Sequence, residues 1–246
     1  ASANIISPAG LFRLEVELLR VPPDAKGVLV PDFPAFGLTS IRHTSATNDT
    51  LLSMERAWTA SSLQDKWHGR WRIVATPDQV KTQTAGFIQE IYGRSAEAAA
   101  LCTLLAATAD PYGDRSPHPG ETTLLDPTVV LTAQLAATTH NSPLEIPLEV
   151  VGDSLKKLEQ AADRDLHWLL FGPQQAWKSL ADKDAQQWVQ EFINAREAAH
   201  KENRVYTGID VGFVSTVEEA LDRLLLTNRL LARHSDLLRS EWLSRW

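Results

Sequence analysis

Hydrophobic and polar residues alternate over residues 11–20, which read LFRLEVELLR. One side of this segment is entirely apolar, with Phe12, Leu14, Val16 and Leu18. A period of two residues is typical of a strand that buries one face, so we predict that the chain opens with a strand here. The Pro-rich VPPDAKGVLVPDFP that follows predicts a turn and a short strand, and residues 37–43 (GLTSIRH) predict another strand.

Helical spacing replaces this alternation in two stretches without Pro or Gly. Residues 50–64 follow two capping candidates, Asn48 and Asp49. Their apolar positions recur near helical spacing, at Leu51, Met54, Ala57, Trp58 and Leu63. From Ser95, the run SAEAAALCTLLAATA predicts a largely buried helix with Ser95 at its N-cap. Between the two helices, WRIVATP from Trp71 predicts a strand.

Strand and helix patterns mix in the second half of the chain. The apolar runs that predict strands are PTVVLTAQLAA, LEIPLEVV, HWLLFGP and VGFV. The predicted helices are DSLKKLEQAADRD from Asp153 or Ser154, residues 180–202, and a segment opened by Ser215 or Thr216 with acidic residues in its first turn. Because strands and helices mix throughout, we predict an α+β or mixed α/β fold.

The composition indicates a globular chain and removes several function classes. Of 246 residues, 43% are hydrophobic and 22% are charged, which is enough apolar surface for one large or two small cores. A net charge of -7 with scattered Lys and Arg argues against nucleic acid as a partner. No apolar run reaches the roughly 20 residues of a membrane span and no targeting segment opens the chain, so we expect no membrane partner and a cytoplasmic location.

Few side chains are spaced for chemistry. The single cysteine, Cys102, excludes an internal disulfide, and the seven His residues are scattered without ligand spacing, so we expect no metal and no cofactor. The sequence holds no G-x-x-x-x-G-K-[ST] phosphate loop, which argues against nucleotide hydrolysis, and no H-E-x-x-H zinc-binding motif. The segment nearest to a G-x-S-x-G elbow fails at its last position, Glu97.

Three segments carry a family resemblance: YGRSAEAAALCTLLAA, DPTVVLTAQL and VVGDSLKKLEQAA. In this order they resemble three motifs of the Lon peptidase family. Those motifs are a Gly two residues before the nucleophilic Ser with a small-residue helix after it, an Asp-led apolar strand ending in Thr-Gly-Glu, and a Gly-Gly element before a Lys-Leu pair. The resemblance implies a Ser-Lys dyad peptidase with Ser95 as nucleophile, Lys157 as base, and Thr132 orienting the lysine.

The resemblance covers about residues 37–228. TLLSMERAWTASSL, WRIVATPD and VGFVSTVEEALDRLLL are similar to the helix before the substrate-binding strand, to that strand, and to the closing strand and helix. It implies the Lon proteolytic-domain fold, which is like domain 2 of ribosomal protein S5, without the ATPase part. We expect residues 1–36, a strand and a Pro-rich segment, to pack on this domain, residues 110–123 to form an inserted loop, and residues 229–246 to form a C-terminal helical extension.

The proposed chemistry requires these residue types. A serine hydroxyl is a weak nucleophile near neutral pH, and a lysine serves as its base only where burial disfavours the charged amine. Leu155, Leu158 and Ala161 around Lys157 suit such burial. The helix start at Ser95 offers backbone N–H groups and a dipole that can stabilise a tetrahedral oxyanion.

The resemblance also implies how substrate binds. It places Gly93, Arg94 and Ala96 at the oxyanion and substrate sites, and Ile73 and Ala75 on the strand to which a substrate peptide adds. The expected substrate is an unfolded or partner-presented polypeptide. The resemblance further implies a ring or other homo-oligomer, with any unfolding supplied by an ATPase or regulatory partner or by a fused domain outside this chain.

Other interpretations of the same residues remain open. Ser95 also fits a plain N-cap, and Lys157 fits an ordinary helix lysine. The S-x-x-K spacing from Ser154 to Lys157 makes Ser154 a rival nucleophile, although the S-D-N and K-T-G companions are missing. Glu97 motivates an alternative function, an inactive Lon-like domain that acts as a binding or scaffold module in a larger assembly. Its carboxylate would then crowd the oxyanion site, or pair with Lys157 and keep it charged.

Overall fold

The computed structural model describes residues 1–7, 10–31, 45–75, 94–108, 124–137, 140–164 and 166–225. The strands among them are β1 (Ser2–Ser7), β2 (Gly10–Arg20), β3 (Leu29–Pro31), β4 (Trp67–Ala75), β5 (Val129–Thr132), β6 (Gln134–Leu135), β7 (Leu148–Glu149), β8 (Trp168–Phe171) and β9 (Asp210–Phe213). Seven of these strands form one sheet in the order β3-β4-β2-β1-β5-β8-β9, and β6 pairs with β7.

One strand of the large sheet, β2, runs against the other six. It pairs antiparallel with β1 and with β4, whereas the pairs β1–β5, β5–β8, β8–β9 and β3–β4 are parallel. The hairpin of β1 and β2 therefore lies in the middle of the sheet, between β4 and β5.

Helices cover both faces of this sheet. The α-helices among the described residues are α1 (Ser45–Ser61), α2 (Glu97–Ala106), α3 (Ser154–Ala162), α4 (Gln174–Leu180), α5 (Lys183–Lys201) and α6 (Val217–Leu224). The apolar sides of α1, α2 and α6 pack on one face, and those of α3, α4 and α5 pack on the other. The predicted mixed α/β class is thus confirmed, and the sheet is mostly parallel. Within the described ranges, no helix combines the length and apolarity that crossing a membrane requires.

The central strand β5 contributes side chains to both cores. Val129 and Leu131 lie in the core with α1, α2 and α6, whereas Val130 lies in the core with α3, α4 and α5. A parallel strand that is covered on both faces is continuously apolar instead of alternating. The carboxyl end of β5, at Thr132, is consequently inside the protein, and this end positions the candidate site.

The alternating segment forms β2 as predicted, with Phe12 and Leu14 buried and Arg13 exposed. The chain does not open with this strand, however, because β1 precedes it. Alternation does not reveal β1, since Ile5 packs in one core and Ile6 in the other.

The predicted helices before Trp71, after Ser95, and in the second half of the chain are confirmed as α1, α2, α3, α5 and α6. The seven-residue α4 was not predicted. In LEIPLEVV only Leu148–Glu149 forms a strand, because the 3-10 turn Pro143–Glu145 takes its first residues. The predictions for 37–43, 110–123 and 229–246 lie outside the described residues.

The start of α6 provides a test of the fold. The Thr216 hydroxyl accepts a hydrogen bond from the Glu219 N–H at 3.2 Å, and the Glu219 carboxylate accepts one from the Ser215 N–H at 2.6 Å. Loss of such a cap costs about 1 kcal/mol, so we expect Thr216→Ala to lower the free energy of unfolding by that amount in urea titration. The control is Thr59→Ala, an exposed threonine inside α1. An equal loss in both variants would contradict the capping role.

Candidate active site

Three parallel strands end side by side at the candidate site. The last residues of β5, β8 and β9, which are Thr132, Phe171 and Phe213, are paired in register. Residues paired in this way point to the same face of a sheet. Phe171 lies in the core with α3, α4 and α5, and Phe213 packs against it. Thr132 therefore faces the same side as these two aromatic rings.

Two helices begin at this edge of the sheet, one on each face. The Ala98 N–H, in the first turn of α2, donates to the Ala133 carbonyl at 3.3 Å, directly after β5. On the other face, α3 leads back to β8, whose first residue Trp168 pairs with Val129 at the start of β5. Because the end of α3 returns the chain to the start of these strands, α3 begins at their carboxyl end. The topology thus brings the predicted nucleophile and base to the same edge.

Ser95 lies in the 3-10 turn Arg94–Ala96, where 6% of the residue is exposed. The N-cap of α2 is Ala96, which makes no side-chain capping bond. The prediction of Ser95 at the N-cap is therefore wrong, because a 3-10 turn moves the start of the α-helix to Glu97. Ser95 precedes the cap, so a plain capping role does not account for it. Gly93, the predicted neighbour, lies outside the described residues.

Glu97 is fully buried and bound by basic side chains. Its carboxylate accepts hydrogen bonds from Arg94 Nε at 2.8 Å, from Arg94 Nη2 at 3.2 Å and from the Leu135 N–H at 3.0 Å. Arg56 of α1 approaches the same carboxylate to 3.4 Å. Hydrogen bonding to Glu97 holds the pKa of Arg94 above its ordinary value. Glu97 therefore does not pair with Lys157; its ion partners in the described part of the chain are Arg94 and Arg56.

Two of the remaining predicted binding residues, Ile73 and Ala96, lie on the face that carries α2. Ala96 and Ile73 are buried in the same core. Ala75 is the last residue of β4, which pairs with β2 along its whole length. On its other side, β3 pairs with residues 69–71, so among the described strands residues 67–68 and 72–75 of β4 have no partner on that side.

Lys157 lies in the first turn of α3, with 3% of the residue exposed. Its ammonium donates to the Gly152 carbonyl at 2.6 Å. Burial lowers the pKa of Lys157 to about 8, against the opposing charge of Asp153. Leu158 and Ala161 of the same helix are fully buried beside it, as the sequence predicts. A neutral amine is thereby accessible close to physiological pH.

Thr132 is fully buried, and its Oγ1 has no hydrogen-bond partner among the described residues. It faces the core into which α3 packs Leu158. Buried hydroxyls are normally paired, so this one is free to bind an amine that approaches it. In the described ranges no hydrogen bond joins Lys157 to Thr132 or to Ser95, and the amine instead binds Gly152.

Ser154, the rival serine, is also buried, but its hydroxyl already has a partner. Its Oγ accepts a hydrogen bond from Trp177 Nε1 at 3.1 Å. The sequence identifies Ser154 through its S-x-x-K spacing, whereas nothing in the sequence identifies Trp177, because the helix that carries it is too short to show a period.

The structure places the predicted nucleophile and the predicted base at one edge of the sheet, on opposite faces. Ser95 comes from the α2 side, Lys157 comes from the α3 side, and Thr132 lies at the end of the strand between them. No group of three or more His, Cys, Asp or Glu side chains within the described residues is placed to hold a metal ion.

The buried lysine predicts a pH-dependent stability. Lys157 has an ordinary pKa of 10.5 in the unfolded chain and a folded pKa of about 8. Between these values the unfolded chain binds more protons, so the wild type gains stability as pH rises, by about 3 kcal/mol in total. Lys157→Met removes this gain, and its stability relative to wild type should fall by that amount between pH 7 and pH 10.5 in urea unfolding. Lys156→Met, at an exposed neighbour, is the control. If the difference in unfolding free energy between Lys157→Met and the wild type did not change with pH, that result would contradict the burial of Lys157.

The Glu97 cluster predicts a structural role for that carboxylate. Glu97→Ala leaves the buried Leu135 N–H unpaired and removes the partner of two arginines, which should cost about 2 kcal/mol of folding free energy. Glu55→Ala, an exposed glutamate on α1, is the control and should cost under about 0.5 kcal/mol. The measurement is chemical unfolding at pH 7. Equal stabilities of the two variants would show that the cluster does not stabilise the start of α2.

A comparison of the sequence with protein-family models gives no match. A search of curated proteins gives no match either. The chemical assignment of the site therefore rests on its own geometry: a buried lysine, an unpaired buried threonine and a serine in the turn before a helix, all at one edge of the sheet.

Proposed function

We propose that this chain is a Lon-like serine peptidase domain in which Ser95 attacks a peptide carbonyl and Lys157 is the general base. The observation that supports it best is the burial of Lys157, which lowers the pKa of its amine to about 8 at the edge of the sheet where Ser95 lies. A buried lysine whose ammonium is hydrogen-bonded to a carbonyl and to no carboxylate among the described residues is costly to fold. Such a residue is a functional candidate, because a base needs a pKa near the working pH.

The reaction follows from the parts present. Lys157 leaves the Gly152 carbonyl, is oriented by the free Thr132 hydroxyl, and takes the Ser95 proton as Oγ bonds to the scissile carbonyl carbon. The ammonium then protonates the departing amine as the C–N bond breaks, leaving an acyl ester on Ser95. Water attacks this ester, with Lys157 taking its proton. The bond between the acyl carbon and Ser95 Oγ then breaks, Lys157 returns the proton to Oγ, and the acid product leaves.

Backbone N–H groups at the start of α2 are the proposed oxyanion donors. The Ala98 N–H is engaged by the Ala133 carbonyl, so the donors come from the turn before it, around Ala96. The substrate peptide would pair beside Ile73 and Ala75 on β4, with Arg94 close to the nucleophile. Main-chain pairing of this kind favours extended, unfolded polypeptide.

The proposed peptidase would depend on an ATPase in another chain or domain for any unfolding of its substrate. The sequence has no phosphate loop, so substrate unfolding by ATP would come from a partner or from a fused domain outside this chain. We also propose the Lon proteolytic-domain fold, self-assembly into a homo-oligomer, and a cytoplasmic location. The mixed sheet with helices on both faces is compatible with the first of these.

A second candidate is an inactive Lon-like domain that serves as a binding or scaffold module. One observation favours it: the Lys157 amine is bound to Gly152 and makes no hydrogen bond to Ser95 within the described residues. In that case the buried lysine would only join the start of α3 to the preceding loop. Glu97 no longer supports this alternative through Lys157, because its carboxylate is held by Arg94 and Arg56.

Digestion of casein distinguishes the two candidates. We expect the wild type to cleave casein, and Ser95→Ala and Lys157→Ala each to lower the rate at least about 1,000-fold, as removal of a member of such a catalytic unit does. Ser179→Ala and Lys156→Ala are the matched controls, because both residues are exposed, and they should keep the wild-type rate. Electrophoresis and mass spectrometry follow the products. Cleavage that survives in Ser95→Ala would reject the nucleophile, and a wild type that cleaves neither casein nor partner-presented polypeptide would favour the scaffold module.

A further inference from the structure

A buried aromatic cluster adjoins the first turn of α3. Trp177 of α4 is 2% exposed, and its ring centroid lies 5.4 Å from that of Phe171 and 5.3 Å from that of Phe213. The two phenylalanines are 6.2 Å apart and end β8 and β9. They continue the row that begins at Thr132, since the three residues are in register on neighbouring strands. The cluster is therefore part of the strand edge where the proposed base lies.

One polar contact joins this cluster to α3. The Trp177 indole Nε1 donates to the Ser154 Oγ at 3.1 Å, and both residues are buried. An indole N–H can only donate, so the serine oxygen must accept, and its own proton points away from the ring. A buried hydrogen bond of this kind fixes the first residue of α3 against the aromatic rings.

Lys157 lies on the same side of α3 as Ser154. Residues three apart in a helix are neighbours on one face, and both of these side chains are buried. The Lys157 side chain also bends back to the Gly152 carbonyl, two residues before Ser154. The amine therefore lies over the turn that the Trp177 contact holds. The charged group that acts on this amine is Asp153, in the same turn.

We propose that Ser154 and Trp177 are positioning residues for Lys157, holding the first turn of α3 against the aromatic cluster so that water does not reach the amine. This role rests on the proposed function, in which the neutral amine is the general base. It assigns Ser154 to support of the base instead of nucleophilic attack. It also gives α4 a function, since this short helix supplies the indole that reaches α3.

The first test measures the amine directly and does not depend on peptidase activity. In the full chain with ¹³Cε-labelled lysine, NMR titration gives the pKa of Lys157, whose resonance is the one missing in Lys157→Met. Trp177→Phe keeps an aromatic ring and removes only the N–H, and Ser154→Ala removes the acceptor. Both should raise the pKa of Lys157 from about 8 by at least about one pH unit toward its ordinary value of 10.5, because water then reaches the amine.

Matched controls separate this contact from general loosening of the protein. Trp188→Phe changes a tryptophan of α5 that packs on Phe192, and Ser179→Ala changes an exposed serine of α4. Neither should change the pKa of Lys157. Ser154→Thr keeps a hydroxyl and should restore the wild-type value. An unchanged pKa in Ser154→Ala, which leaves the aromatic cluster intact, overturns the proposal even if Trp177→Phe fails to fold.

The second test follows kcat/KM for casein against pH. Ser154→Ala should move the rising limb to higher pH. If the rising part of the profile moves by about one pH unit, kcat/KM of Ser154→Ala is about tenfold below that of the wild type at pH 7. Near pH 10 the two values are equal. An equal loss at every pH would show a merely structural role and overturn the proposal.

The positioning role and the proposed function fail separately in these tests. A raised pKa of Lys157 in Ser154→Ala, in a chain without peptidase activity, rejects only the proposed function. An active wild type whose Lys157 pKa is the same in Ser154→Ala and Trp177→Phe rejects only the positioning role.

Discussion

The burial of one lysine amine is the constraint on which the candidate site depends. The Lys157 side chain lies in the core between the sheet and α3, and its ammonium has a single carbonyl as hydrogen-bond partner among the described residues. Desolvation of this charge opposes folding, and the nearby charge of Asp153 offsets it only in part. The rest of the core must therefore stabilise the chain enough to hold the amine there. That core consists of the apolar residues of α3, the aromatic cluster at the ends of β8 and β9, and strand β5, which is covered on both faces.

The strand β5 connects this buried amine with the opposite face of the sheet. It is paired on both sides by parallel strands and covered on both faces, so its end is fixed in space. The amide at the start of α2 binds the residue after this strand, while Thr132 at its end faces α3. Ser95 before α2 and Lys157 in α3 thus both lie at the edge of the sheet where β5 ends. The position of this edge is fixed, although the two helices cover opposite faces. The proposed catalytic site would require such rigidity between its serine and its lysine.

The buried charges on the two faces of the sheet have different partners. On the α2 side, the buried carboxylate of Glu97 is neutralised by two arginines and by a backbone N–H, so it stabilises structure. On the α3 side, the buried amine has no carboxylate hydrogen-bonded to it among the described residues, and its pKa moves towards neutrality. The amine of Lys157 can therefore change its protonation close to physiological pH, which is the property that a general base requires.

The sequence by itself determined the mixed α/β class, the alternation of β2, the apolar core helix α2 and the helix that carries Lys157, because these depend on local periodicity and capping. It also singled out Ser95, Thr132 and Lys157 as candidate site residues. Only the tertiary structure decided that β1 lies at the centre of the sheet, since a strand buried on both faces shows no alternation. The pairing of Glu97 with Arg94 and Arg56, and the contact of Trp177 with Ser154, were likewise decided by tertiary packing. The contacts of Glu97 with Arg56 and of Trp177 with Ser154 join side chains on different elements, and no local pattern along the chain encodes the distance between them. Arg94 and Glu97 are only three residues apart, but their burial at the start of α2 depends on packing.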